Sequence, residues 1–220
     1  MRINVVFIPV ANAALGRDDR TQIERTIRKH ALRAAHLLRL REKIITFSVH
    51  PHWWEWGGSA ESKEWIRLRM PLRWKSQQHC SEYLEKRLPS AVYHEMHHLT
   101  RRYVFSPEKT YPPHTLINSL ASEGLATVFE QEQLPGYQPK YGRYQRRVIR
   151  TWLPAVQREK WSRNYDDVAW FHGRGKPRWL GYKMGTYIID HVKARHPRRT
   201  ARTLARESVR NILKLSGVKL

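Results

Sequence analysis

Three side chains within five consecutive residues can do metal chemistry: His94, Glu95 and His98 in His94-Glu95-Met96-His97-His98. Four residues apart on a helix, the two imidazoles share one face, one turn apart, and can bind a single ion. Glu95 then lies beside the open coordination position. There it can take a proton from a zinc-bound water and return it to a leaving amine. Nitrogen and carboxylate ligands with one position left for water suit one Zn2+ best. Ala91, Val92, Met96 and Leu99 supply the apolar positions of a buried helix. His97 points elsewhere around that helix and reads as structural rather than as a ligand.

A catalytic zinc needs a third protein ligand. Glu123 lies 25 residues beyond His98, inside Ala121-Ser122-Glu123-Gly124-Leu125-Ala126. Gly124 is unusual in a helix interior, where glycine costs about 1 kcal/mol against alanine. Close packing of this helix on the metal helix would give it a reason. His114, sixteen residues after His98 and in a loop, is the other candidate. Spacing leaves both open.

The elements that must hold these residues follow from periodicity. Ile3–Val10 reads as a core strand and Arg17–Arg41 as a helix. Thr21 and Glu24 suggest a capping box, with Ile23, Ile27, Ala31, Ala34 and Leu38 on one face. Lys43–His50 is β-branched and apolar, a second strand. Trp53 to Gly58 reads as an aromatic turn. In Trp65–Met70, Arg67 and Arg69 alternate with Ile66, Leu68 and Met70, a half-exposed strand ended by Pro71. Helices are then expected over Gln77–Arg87, Ala91–Val104, Leu116–Gln133, Tyr144–Trp161, Tyr182–Arg195 and Arg198–Leu215. Pro89 separates the first two, Ser106–Pro113 forms a loop, and Pro154 interrupts the fourth. The fold class is α+β: a small N-terminal sheet with a mainly helical body. Residues 1–220 read as a single domain, with sheet-containing residues 1–72, metal-site helices 73–195 and a basic C-terminal helix 196–220. Trp152, Trp161, Trp170 and Trp179 recur every nine residues. Their flanks do not match, so the period reads as coincidence.

The 220 residues suffice to bury a core, and 40% hydrophobic composition is in the globular range. One cysteine, Cys80, excludes an internal disulfide and a Cys-rich zinc site. With no apolar run near membrane-spanning length and no signal-peptide pattern, a cytoplasmic protein is expected. The formal net charge is +22, and it is uneven. Residues 139–220 hold 21 Lys or Arg against 5 Asp or Glu, a net of +16. Arg198, Arg202, Arg206 and Arg210 would form a stripe along the last helix. Like charges at that spacing repel, so a nucleic acid or other anionic partner is the functional reading of the basic C-terminal third, and a solvated face the plain one.

His94-Glu95-Met96-His97-His98, then His114 to Glu130 (HTLINSLASEGLATVFE), then Gly181-Tyr182-Lys183-Met184-Gly185-Thr186-Tyr187-Ile188-Ile189 resemble a known group. It is the predicted zinc-dependent protease family called domain of unknown function 2268. The resemblance spans residues 90–195. It implies a gluzincin-like zincin fold and a zinc-dependent metallopeptidase cutting peptide bonds. Carried over, it makes His94, His98 and Glu123 the zinc ligands and Glu95 the general base. Asn118 would orient a ligand by hydrogen bonding, and Tyr182 could donate to the oxyanion of a tetrahedral intermediate. Trp65–Met70 would be the edge that aligns an extended peptide. Two other readings stand beside this one. A Spartan-type protease acting on DNA-bound proteins would use His114 as third ligand. A non-catalytic zinc-containing protein would bind nucleic acid or an anionic surface.

Overall fold

In a computed structural model, residues 1–10, 15–52, 57–104 and 114–220 are described. Trp53–Trp56 of the expected aromatic turn and the whole of the expected loop 106–113 lie outside them. Contacts divide the chain into two compact units, 1–106 and 107–220. The fold class is α+β, as the periodicities predict, with a four-stranded sheet and a majority of helix.

The first unit holds the sheet. Its strands are β1 (Arg2–Phe7), β2 (Ile44–His52), β3 (Gly58–Ser62) and β4 (Trp65–Pro71), in spatial order β1-β2-β4-β3. The first three in that order run parallel, and β3 is antiparallel to β4. β4 is therefore interior, not the edge the resemblance implied. The edges are β1 and β3, and the Gly-Ser-Ala-Glu-Ser run of β3 carries no β-branched or aromatic residue to announce it. A single apolar face, with Ile3, Ile45, Phe47, Val49, Ile66, Leu68 and Met70 all buried, is covered by helices.

Helix α1 (Arg17–Leu38) buries the expected stripe Ile23, Ile27, Ala31, Ala34 and Leu38. Its cap is not Thr21 with Glu24, because the helix begins a turn earlier. The Gly16 amide donates to Asp19 Oδ2 at 2.9 Å, while Glu24 pairs with Arg28. After β4, α2 (Gln77–Glu82) runs through a π-helical turn, Tyr83–Arg87, directly into α3 (Leu88–Arg101). Pro89 does not separate two helices. It closely follows the π-helical turn, in which the Leu88 amide reaches back to the Tyr83 carbonyl. The Tyr83 hydroxyl donates to the Arg69 carbonyl at 3.2 Å, tying this turn to β4.

The second unit is helical: α4 (Leu116–Gln133), α5 (Arg146–Glu159), α6 (Leu180–Arg195), α7 (Ala201–Leu204) and α8 (Val209–Ser216). α4 is buried along nearly its whole length and packs mainly on α6. α5 runs through Pro154, which is exposed. A π-helical turn, Val168–His172, was not foreseen. The expected helix 198–215 is broken in two. Thr200 accepts from the Thr203 amide and Ser208 from the Asn211 amide, so each starts its own short helix. The arginine stripe is thereby dismantled. Arg202 lies in α7 and Arg210 in α8, where it sits over the Trp161 ring. Trp152 and Trp170 meet edge to face, with the Lys176 ammonium 5.1 and 5.0 Å from their rings.

Candidate metal centre

Almost all of α3 is buried. Residues 92–99 have no exposed position. His94 and His98 stack edge to face, ring centroids 4.7 Å apart, as two imidazoles one helical turn apart must. Tyr93, between α1 and α3, is fully buried, and its hydroxyl lies 3.0 Å from His30 Nδ1. Burial holds His30 down to about 4, aided by Lys29 and Arg33. That imidazole is neutral at pH 7.

Among the described residues, His94, His98 and Glu123 form a group that could hold a metal ion. Each offers one ligand atom, those atoms lie within 4.8 Å of one another, and all three side chains are buried. Two imidazoles and a carboxylate are a fitting donor set for zinc. His114 is not in the group. His97 is fully buried and also outside it. Asn118 donates to the Thr115 hydroxyl at 3.0 Å, at the start of α4.

Glu95 is buried on α3, against the edge strand β3. A Cβ on Gly58 would come within 2.6 Å of Glu95 Cγ and 3.0 Å of Cδ, so strand and side chain are in direct contact. The Arg69 amide donates to the Gly57 carbonyl at 2.9 Å, and Ser59 faces Arg67 in the same register. In antiparallel pairing, the intervening Gly58 and Ala60 turn their N–H and C=O groups away from β4. No described strand pairs with that outer side.

Gly124 has a reason different from the expected one. Its Cβ would lie 2.2 Å from the Gly185 carbonyl carbon, so the glycine serves close contact with α6. Tyr182 is half-buried on α6, its ring 5.1 Å from Tyr141 and 5.4 Å from Phe171. Tyr141 in turn donates to both carboxylate oxygens of the buried Glu130.

Sequence reasoning missed the surroundings of Glu123 in the second unit. Tyr165 and Ser119, one turn before Glu123, share a hydrogen bond of 2.7 Å. Burial pushes the Tyr165 hydroxyl well up, and the charges of Asp167 and Glu123 add to it. Asp167 is itself raised by burial, drawn down by His172 and raised further by Glu123. An acid pair, Asp166-Asp167, in a stretch with so few acids was the available signal.

No curated protein and no solved structure matches the chain. A family model, described as a predicted Zn-dependent protease, matches residues 76–214, which include α3, α4 and α6 with His94, Glu95, His98, Glu123 and Tyr182. The chain belongs to the family of predicted zinc-dependent proteases called domain of unknown function 2268.

Proposed function

We propose that this protein is a zinc metallopeptidase, with residues 1–220 acting as one gluzincin-like domain. The observation that carries the reading is the buried group of His94, His98 and Glu123 on ligand-forming terms, with Glu95 next in sequence to the first histidine. One zinc held there would supply Lewis-acid polarisation of water and of a substrate carbonyl. Glu95 is the proton carrier: it accepts a proton from the attacking water and delivers it to the leaving amine. Its burial favours that role, since a carboxylate shielded from water exchanges protons with the substrate rather than with solvent. Tyr182 is the candidate hydrogen-bond donor to the developing oxyanion, through a hydroxyl that needs no change of charge.

The substrate is an extended peptide. Gly58 and Ala60 offer the outward main-chain groups that such a peptide would pair with, and Gly58 also touches Glu95. A peptide added to β3 is thus aligned beside the proton carrier. The reading is tested by comparing wild type with Glu95→Gln on an unfolded protein substrate, with zinc content measured in parallel. Loss of at least about 100-fold in kcat with zinc retained is expected. Full activity in the variant, or activity that survives complete zinc removal, would overturn it.

A further inference from the structure

The basic third of the chain has an organised face, and it is not the one that spacing suggests. In α5, Arg146, Arg147, Arg150 and Arg158 are all exposed. At 100° per residue they fall within an arc of about 120°. Ile149, Ala155 and Val156, on the opposite side, are buried. None of the four guanidinium groups has a hydrogen bond or an ion pair among the described residues. Elsewhere in the same unit arginines do find partners: Arg174 meets Asp166 at 2.7 Å and Arg199 meets Glu207.

Three local effects work against such a face. Arg146 with Arg150, and Arg147 with Arg150, are like-charge neighbours at i, i+4 and i, i+3. Arg146 and Arg147 stand in the first turn, at the positive end of the helix dipole, where no acidic residue and no side-chain cap offsets them. Four unpaired guanidinium groups along one side are each a ready bidentate donor to phosphate.

We infer that the exposed face of α5 docks the phosphate backbone of double-stranded nucleic acid. Charge complementarity is the argument, since the partner must be polyanionic along a line. The residues between the arginines, Thr151, Pro154 and Gln157, are not aromatic, so the face has no platform for stacking unpaired bases. Its apolar side is turned inward, so it has nothing to insert among lipid chains. Recognition is of backbone and not of sequence. The inference does not depend on the peptidase reading.

The test is fluorescence anisotropy of a labelled 30-base-pair duplex with the full-length protein, between 50 and 200 mM NaCl. Four phosphate contacts give a slope of about −3.6 in log K against log salt, a loss on the order of 100-fold over that range. The quadruple variant R146Q/R147Q/R150Q/R158Q should lose most of that slope and at least 10-fold in affinity at low salt. The matching Arg→Lys variant should keep the slope. A control removing four exposed charges elsewhere, R17Q/R25Q/R33Q/R41Q, should lose far less. Relief of repulsion means the α5 glutamine variant melts no lower than wild type. Equal losses in both quadruple variants, no duplex binding by wild type, or preference for a single strand or for anionic vesicles would each overturn the inference.

Discussion

Gly124 of α4 and Gly185 of α6 touch backbone to backbone. A Cβ on Gly185 would lie 2.0 Å from the Leu120 carbonyl oxygen, and one on Gly124 would lie 2.2 Å from the Gly185 carbonyl carbon. Neither obstacle is a side-chain tip that could swing aside. The glycine pair therefore sets how closely the helix bearing Glu123 approaches the helix bearing Tyr182. Gly185→Ala should force the helices apart and cost about 1–3 kcal/mol or more of stability, although alanine is the better helix former. A urea midpoint lowered by that amount is the expected result. A midpoint raised, as helix propensity alone demands, would refute the close-approach argument.

The third ligand can be assigned by zinc retention. Changes to groups that merely orient a ligand cost about 10–100-fold in metal affinity. Glu123→Ala removes a member of the buried group and should exceed that. His114→Ala should leave zinc affinity within a few-fold, since His114 stands outside the group. Competition against a chromophoric chelator gives both numbers. The reverse ranking would favour the Spartan-type arrangement.

These residues were legible because chemistry leaves short, spaced signatures. His94 and His98 four apart, and Ile23, Ile27, Ala31, Ala34 and Leu38 at helical spacing, are patterns of one element. The edge strand was not legible, because Gly58–Ser62 is defined by its pairing to β4 and not by its own composition. Gly124 was noticed as odd, but its partner 61 residues away could not be read locally. The basic stripe failed for a different reason. Arg198, Arg202, Arg206 and Arg210 have perfect spacing, yet Thr200 and Ser208 each start a separate short helix, so no single helix aligns them.

Gly58 has an ordinary backbone conformation, so only space accounts for it. A methyl group there meets Glu95 Cγ at 2.6 Å and the Arg67 carbonyl at 3.0 Å. Gly58→Ala should displace the Glu95 side chain while leaving the histidine ligands alone. A 1 Å misplacement of a reacting group can cost about 100-fold in rate. The variant should therefore lose kcat on that order, with zinc content unchanged. Unchanged kcat would mean that Glu95 can yield without consequence, which would weaken its assignment as proton carrier.

Acid should destabilise the first unit through His30. Its ordinary value is 6.5, and in the folded chain it is lowered to about 4, first by burial and then by Lys29 and Arg33. A lowered folded value means that the unfolded chain binds the extra proton first. Stability from this group is complete above pH 6.5, falls as pH drops from 6.5 to 4, and is gone below. The slope has a ceiling of about 1.4 kcal/mol per pH unit for one proton, reduced by the solvent that reaches the half-buried ring. The neutral ring can accept from the Tyr93 hydroxyl at Nδ1, whereas the imidazolium cannot. His30→Gln keeps an acceptor without a titration in this range. Its denaturation midpoint should be less sensitive to pH than that of wild type between 6.5 and 4, and the difference between the two proteins cancels the other histidines. Parallel pH profiles would mean that His30 is protonated in the folded chain as readily as in the unfolded one.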